Sequence, residues 1–317
     1  MRNYKFIPLL ICLPVLVGCS SVGNPEDSDK INVVCTVFPE YDWSKEIIGD
    51  SDKIALSLIA DNGTDFHSYQ PSTQDIVTVT SCDVLVYVGG QSDLWIEDAL
   101  KNKSNPDMQV VKLTDIMSGS LLSEPETHGE EHEHGEEEQV FDEHVWLSLK
   151  NAAVFTDAIA EAICAADSEN ADLYRNNADA YIEKLTETDK SFEDKLLNAK
   201  RKTVLFGDRF PFVYLMNDYG IEYYAAFPGC SSETDASFDT VVSLAEAVDE
   251  SELPFVLTIE GSDCNIAEAV ISNTKSKDQN ILTLDSMQTV RRQDIEGGKT
   301  YLTVMKKNLD VLTEALN

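Results

Sequence analysis

Residues 171–202 read ADLYRNNADAYIEKLTETDKSFEDKLLNAKRK, and no glycine or proline interrupts them. Tyr174, Ala178, Tyr181, Leu185, Phe192 and Leu196 recur at helical spacing, which gathers them on one face. At about 1.5 Å per residue the stretch predicts a helix of roughly 45 Å. Such a helix can run the height of two lobes and act as a stiff spine between them.

On both sides of the spine the chain alternates strand with helix. Before it, Ile31–Phe38, Lys53–Ile59, Asp83–Gly90 and Met108–Leu113 read as strands, and Tyr41–Ile48, Thr73–Val79, Leu94–Leu100 and Ser148–Ala166 as helices. After it, the strands are Thr203–Phe206, Ile221–Ala226, Phe255–Ile259 and Ile281–Leu284. The later helices are Phe210–Tyr219, Phe238–Glu250, Asn265–Lys275 and Lys299–Asn317. This alternation predicts an α/β fold with mainly parallel sheets covered on both faces. The first lobe is 31–168, the linking helix 169–202 and the second lobe 203–317. Ligand crevices in such sheets lie at the carboxyl ends of strands. His67, Asp208, Glu260 and Asp285 all follow predicted strands, which points to one cleft shared by the lobes.

The first residues read as an export signal. Arg2 and Lys5 give a positive start, Phe6–Val17 is apolar, and no acidic residue occurs before Glu26. The apolar stretch is short for a membrane span. Leu16-Val17-Gly18-Cys19 resembles a bacterial lipoprotein box, so residues 1–18 are expected to be removed and Cys19 lipidated. Residues 19–30 then form a tether, and the protein sits on the outer face of the cytoplasmic membrane, held by lipid.

Asp and Glu number 57 against 24 Lys and Arg, a net charge of −33. That excess argues against a nucleic-acid partner and draws divalent cations. Of seven cysteines, Cys12 leaves with the signal and Cys19 carries lipid. The five others, Cys35, Cys82, Cys164, Cys230 and Cys264, cannot all pair within one chain. Cys35 and Cys82 sit in apolar runs and read as buried thiols, whereas Cys230 and Cys264 lie in loops where a disulfide is possible.

All five histidines fall in the first half of the chain. Glu124–Glu143 (EPETHGEEHEHGEEEQVFDE) carries ten carboxylates and three of them, His128, His132 and His134, with no Lys or Arg. Its composition predicts a solvated acidic loop. His67 lies in DFHSYQP (Asp65–Pro71) and His144 in DEHVWLS (Asp142–Ser148). Imidazole and carboxylate together are the donors of borderline divalent metals such as zinc.

These residues resemble the metal-specific solute-binding lipoproteins of ABC importers, the zinc- and manganese-binding group with two Rossmann-like lobes joined by one long helix. DFHSYQPS (Asp65–Ser72) and DEHVWLS resemble the family's two His segments; the spine, DRFPFVYLMNDYG (Asp208–Gly220), TIEGSD (Thr258–Asp263) and LTLDS (Leu282–Ser286) support the likeness. The resemblance implies His67 and His144 as ligands and Asp285 as an acidic ligand from the second lobe. It breaks at the third position, where alignment puts Arg209, a side chain with no lone pair to offer. Asp208, Glu260 or a water is then expected to fill that place, with Arg209 pairing a carboxylate such as Glu260 and orienting it.

The resemblance further implies a monomer that captures Zn2+ in the interlobe cleft and delivers it to an ABC permease and its ATPase. His128, His132 and His134 would serve as an auxiliary metal loop. Two His with two carboxylates is a comparatively hard set, which keeps Mn2+ or Fe2+ open as the cargo, while the His loop and the affinity order favour zinc. A metal-binding surface adhesin is a further alternative on the same fold. A metal-dependent hydrolase is the least favoured reading, because His132-Glu133-His134 lacks the HExxH spacing; no enzyme activity is expected.

Overall fold

Eight strands build two sheets in the computed structural model, which describes residues 30–124, 141–231 and 235–317. The expected signal, Cys19 and tether up to residue 29, and His128, His132 and His134, lie outside the described residues. β1 (Ile31–Cys35), β2 (Ile54–Leu58), β3 (Val84–Tyr87) and β4 (Gln109–Lys112) form the first sheet in the order β2-β1-β3-β4. β5 (Thr203–Phe210), β6 (Glu222–Pro228), β7 (Phe255–Ile259) and β8 (Asn280–Leu284) form the second in the order β6-β5-β7-β8. All pairings between these strands are parallel, and the two lobes repeat one topology. Among the described residues no helix is long and apolar enough to cross a membrane.

The spine is the helix Ala171–Leu197, whose buried face is Tyr174, Ala178, Tyr181, Leu185, Thr188, Phe192 and Leu196. Its first half grips the first lobe: Tyr174 meets Ser51 at 3.1 Å and Asn177 Nδ2 donates to Ile47 O at 3.0 Å. Its second half grips the second lobe, with Phe192 stacked on Tyr219 at 5.0 Å. The helix ends five residues short of the expected Lys202. Lys202 turns back, and its Nζ donates to the carbonyls of Leu196 and Leu197, a basic cap on the open C-terminus.

Two further boundaries differ from the periodicity reading. β1 stops at Cys35 and a helix begins at Phe38, because Pro39 suits a first turn and Glu40 Oε2 accepts the N–H groups of Thr36 and Val37. β5 runs on to Phe210 through a bulge between Phe206 and Arg209, and the following helix starts only at Val213. Pro211 forbids a helical start at Phe210, since the residue before a proline is pushed to extended backbone.

One apolar core serves both lobes. Trp43 of the first lobe packs edge-on against Tyr301 of the second, centroids 5.2 Å apart. Tyr301 Oη donates to Trp146 O at 2.7 Å, and Trp146 Nε1 donates to Ser286 O at 3.0 Å. Fully buried groups therefore tie the lobes together directly beneath the cleft.

Candidate metal centre

His67 sits on the 3₁₀ turn Phe66–Ser68, whose N-cap Asp65 accepts the His67 N–H at 3.0 Å. His144 caps the turn Val145–Leu147 and is fully buried against Trp146, ring centroids 5.1 Å apart. The two rings meet head to head, with His67 Nε2 and His144 Nε2 3.0 Å apart. Behind each ring stands a carboxylate: His144 Nδ1 faces Asp142 Oδ1 at 3.0 Å, and His67 Nδ1 faces Glu143 Oε1 at 2.9 Å with Ser92 Oγ also at 2.9 Å. A carboxylate can only accept, so both Nδ1 atoms carry hydrogen. Both Nε2 lone pairs then point at the same place, which is the arrangement a cation satisfies and a neutral imidazole pair does not.

A third donor joins them. Cys230 Sγ, His67 and His144 offer ligand atoms that all lie within 4.8 Å of one another. Cys230 follows β6 in the turn Pro228-Gly229-Cys230, so the second lobe delivers it to the cleft from a strand's carboxyl end. The turn passes so close to the imidazole that a Cβ on Gly229 would lie 2.7 Å from His144 Cε1 and 2.9 Å from Pro211 Cα. Glycine at 229 is what lets the thiol reach the first lobe's histidines.

Charge is arranged around these donors. Burial pushes the Cys230 thiol up, and the charges of Glu143 and Glu124 push it further, so the proton stays until a cation displaces it. Burial would pull His144 down, yet the charge and hydrogen bond of Asp142, with Glu143 and Glu124, leave its pKa raised. Burial opposes ionisation of Glu143 too, but His67, His144 and Ser92 hold it down to about 2.

Asp208, Glu260 and Asp285 stand apart from this group. Asp208 accepts the backbone N–H of Arg209 at 2.8 Å, and its Oδ2 is buried without a hydrogen-bond partner. Glu260 braces a loop, accepting from Ser286 N at 2.7 Å, Ser286 Oγ at 2.8 Å and Gln288 N at 3.1 Å. Asp285 is held by Lys299 Nζ at 2.7 Å and accepts Met287 N at 2.9 Å. Arg209 does not pair with Glu260: its Nη2 meets Asp65 Oδ2 at 2.6 Å. The continuation of β5 carries Arg209 across to Asp65, so it braces the turn that presents His67. Cys230 and Cys264 are both free thiols, not a disulfide. Cys230 was legible only as a loop cysteine open to a disulfide with Cys264; the one signal pointing further was its place just after a strand of the second lobe.

Residues 33–315 match the family of the zinc-uptake complex component A, periplasmic. The chain belongs to this family. Among its curated relatives, the zinc-binding lipoprotein AdcA of Streptococcus pneumoniae is 30% identical over 319 residues, covering 99% of this chain and 61% of AdcA. The chain thus spans about three fifths of the length of that relative. The high-affinity zinc uptake system protein ZnuA of Bacillus subtilis is 28% identical over 317 residues, covering 96% of this chain and 95% of ZnuA. The crystal structure of the Zn(II)-bound ZnuA-like domain of Streptococcus pneumoniae AdcA superposes with a TM-score of 0.71 at 26% identity, covering 90% of this chain and 99% of that domain. As a member of the zinc-uptake component A family, the chain has the family's two parallel four-stranded sheets and long helix.

Behind the donors, two more carboxyls are buried in the first lobe. Burial, with the charge of Asp93, pushes Glu40 up to about 8; burial, with the charge of Glu143, pushes Asp93 up to about 7. A carboxyl whose folded pKa is raised stabilises the fold fully below its unfolded pKa, and that contribution is lost as pH rises through the folded value. The chelator-treated chain is therefore expected to lose thermal stability between about pH 5 and pH 8. Glu40→Gln keeps an acceptor for Thr36 and Val37 and cannot ionise, so its melting temperature should fall less over that range. An equal slope in both proteins would show that Glu40 does not titrate there.

Proposed function

We propose that this protein is an extracellular metal-capture component: it takes up a divalent transition metal, Zn2+ before others, with His67, His144 and Cys230, and presents it to an ABC permease and its ATPase. The observation that carries the reading is the convergence of two Nε2 lone pairs at 3.0 Å, each ring backed by a carboxylate on Nδ1, beside a half-buried thiol. Two imidazoles and a thiolate form a softer set than two imidazoles and two carboxylates. Thiolate favours zinc, while manganese prefers oxygen. Asp208, Glu260 and Asp285 then shape the second lobe's wall instead of holding the ion.

Capture follows from the charges described above. An arriving cation takes up the two facing Nε2 lone pairs and replaces the thiol proton, so binding releases a proton and weakens at low pH. Asp142 and Glu143 keep both rings in one tautomer throughout. Because the thiol comes from the second lobe and both imidazoles from the first, the ion cross-links the lobes, and the permease would read that pose. No bond is made or broken in a substrate, so no catalysis is needed. The lipid anchor at Cys19 would keep the protein at the membrane's outer face, beside its permease.

Competitive titration of the chelator-stripped chain with Zn2+ and Mn2+ tests this. The expected result is one tight zinc site with much weaker manganese. Manganese binding as tight as zinc would overturn the cargo assignment, and the absence of tight binding by either would overturn capture itself.

A further inference from the structure

The two lobes meet in two different ways. Beneath the donors, Trp43, Trp146 and Tyr301 join them through the buried core. A second junction is polar, and it falls on residues 61–65, which lead from β2 to the His67 turn. At one end Arg292 grips Asp61 twice: its backbone N–H donates to Asp61 O at 2.8 Å, and its Nη2 pairs with Asp61 Oδ2. Asn62 pairs with Arg291 in an antiparallel bridge. Arg291 then lies so close over Gly63 that a Cβ there would stand 2.5 Å from Arg291 Cγ. Gly63 also has φ +77°, so glycine is what seats the arginine. At the other end Arg209 Nη2 meets Asp65 Oδ2 at 2.6 Å, while Asp65 Oδ1 accepts the His67 N–H at 3.0 Å.

Between these two grips the segment borders open space. A cavity of about 770 Å³ is lined by Asn62, Gly63 and Asp65 from the first lobe and by Asp208, Arg209 and Arg291 from the second. None of residues 61–65 is fully buried, whereas Ala60 and Phe66 on either side are. Ala60 N donates to Thr36 O at 3.2 Å, and Phe66 packs edge-on against Trp146, centroids 6.3 Å apart. A strap anchored at both ends in its own lobe, and held to the other lobe by ion pairs and one bridge, can lift without opening the core.

We propose that residues 61–65 form a clasp whose release admits and discharges the metal ion; this rests on capture by His67, His144 and Cys230. Asp61, Arg209, Arg291 and Arg292 are not donors to the ion, so their contacts hold with the ion in or out. A contact that is equally strong in both states shifts no binding equilibrium. Its strength sets instead how often the strap lifts, and with it the rates of entry and exit.

Stopped-flow exchange of Zn2+ with a fluorescent chelator reads both rates on the full chain. Asp61→Asn combined with Gly63→Val removes the Arg292 pair and the Arg291 seat. It is expected to speed entry and release each by about tenfold while Kd stays within about twofold, since a charge-assisted hydrogen bond is worth roughly that factor. Asp61→Arg with Arg292→Asp reverses the pair and should bring both rates back toward the unsubstituted values. Asn62→Cys with Arg291→Cys puts two thiols at a bridge position, where the strand spacing suits a disulfide. Closed by exchange with a small disulfide, that chain should release zinc at least about tenfold more slowly, and a phosphine reductant should restore the rate. Unchanged rates in the loosened chain, or unslowed release from the locked one, would overturn the clasp, since the ion would then pass elsewhere. Lost affinity with unchanged entry in the loosened chain would also overturn it, because residues 61–65 would then act only by positioning His67. Failure of capture itself looks different: the unsubstituted chain would bind no zinc tightly.

Discussion

Cys230→Ser is expected to cost this protein about two orders of magnitude in zinc affinity and most of its preference for zinc over manganese. Structural zinc sites bind with roughly 10–16 kcal/mol, so one ligand of four carries about 3 kcal/mol, and each 1.4 kcal/mol is about tenfold. A serine hydroxyl is a weak, hard donor that does not ionise at neutral pH, so zinc loses more than manganese does. The substitution is a cleaner probe than His144→Ala. His144 is fully buried and satisfies Asp142, so its removal strands a charge in the core. Cys230 is only part-buried, and serine fits the same volume. Competition with a chromophoric chelator reads both affinities. Wild-type zinc affinity in Cys230→Ser would remove the thiol from the site and return the choice of third donor to Asp208 or Glu260.

The spine was legible because its apolar spacing is local, and the two sheets were legible because strand–helix alternation fixes their connectivity. His67 and His144 stood out because DFHSYQPS and DEHVWLS resemble the family's two His segments; in the fold each also has an acid two positions earlier, Asp65 or Asp142, that accepts its backbone N–H. Cys230 did not, because its proposed role depends on an approach between lobes: Gly229 must clear His144, and β6 must end opposite the first lobe's turns. Nothing within a window around Pro228-Gly229-Cys230 encodes the partner. Arg209 shows the complementary case. Its presence at an expected ligand position signalled that the donor set had changed, but the bulge in β5 that aims it at Asp65 is visible only in the folded sheet. The acids Asp285 and Glu260 were drawn toward the site by their places after strands. Lys299 and the Ser286–Gln288 loop, which claim them in the structure, come from elements the strand pattern does not describe.

Trp43→Ala should destabilise both lobes at once, by about 3 kcal/mol, in a single unfolding transition. Trp43 is fully buried, lies 5.9 Å from Phe155 and 5.2 Å from Tyr301, and so plugs the junction between the first lobe and the last helix of the second. Truncating a buried tryptophan costs about 3–5 kcal/mol in lost packing and a residual cavity. Here the indole Nε1 has no hydrogen-bond partner, and removing a buried unpaired donor returns about 1–3 kcal/mol, which places the net effect at the low end. Trp43→Phe follows from the same balance: it keeps most of the apolar surface, removes the unpaired N–H, and should be nearly neutral. Denaturant unfolding of the chelator-treated chain, followed by far-UV circular dichroism and by tryptophan fluorescence, checks both. Coincident curves in the unsubstituted chain, shifted together in Trp43→Ala, would mean that the lobes share one cooperative core. Their motion on binding is then confined to small adjustments of the turns that carry His67, His144 and Cys230, with the spine unbent. Two separate transitions would instead make the lobes independent bodies, and an ion bridging His67 and His144 to Cys230 would then have a wide hinge to close.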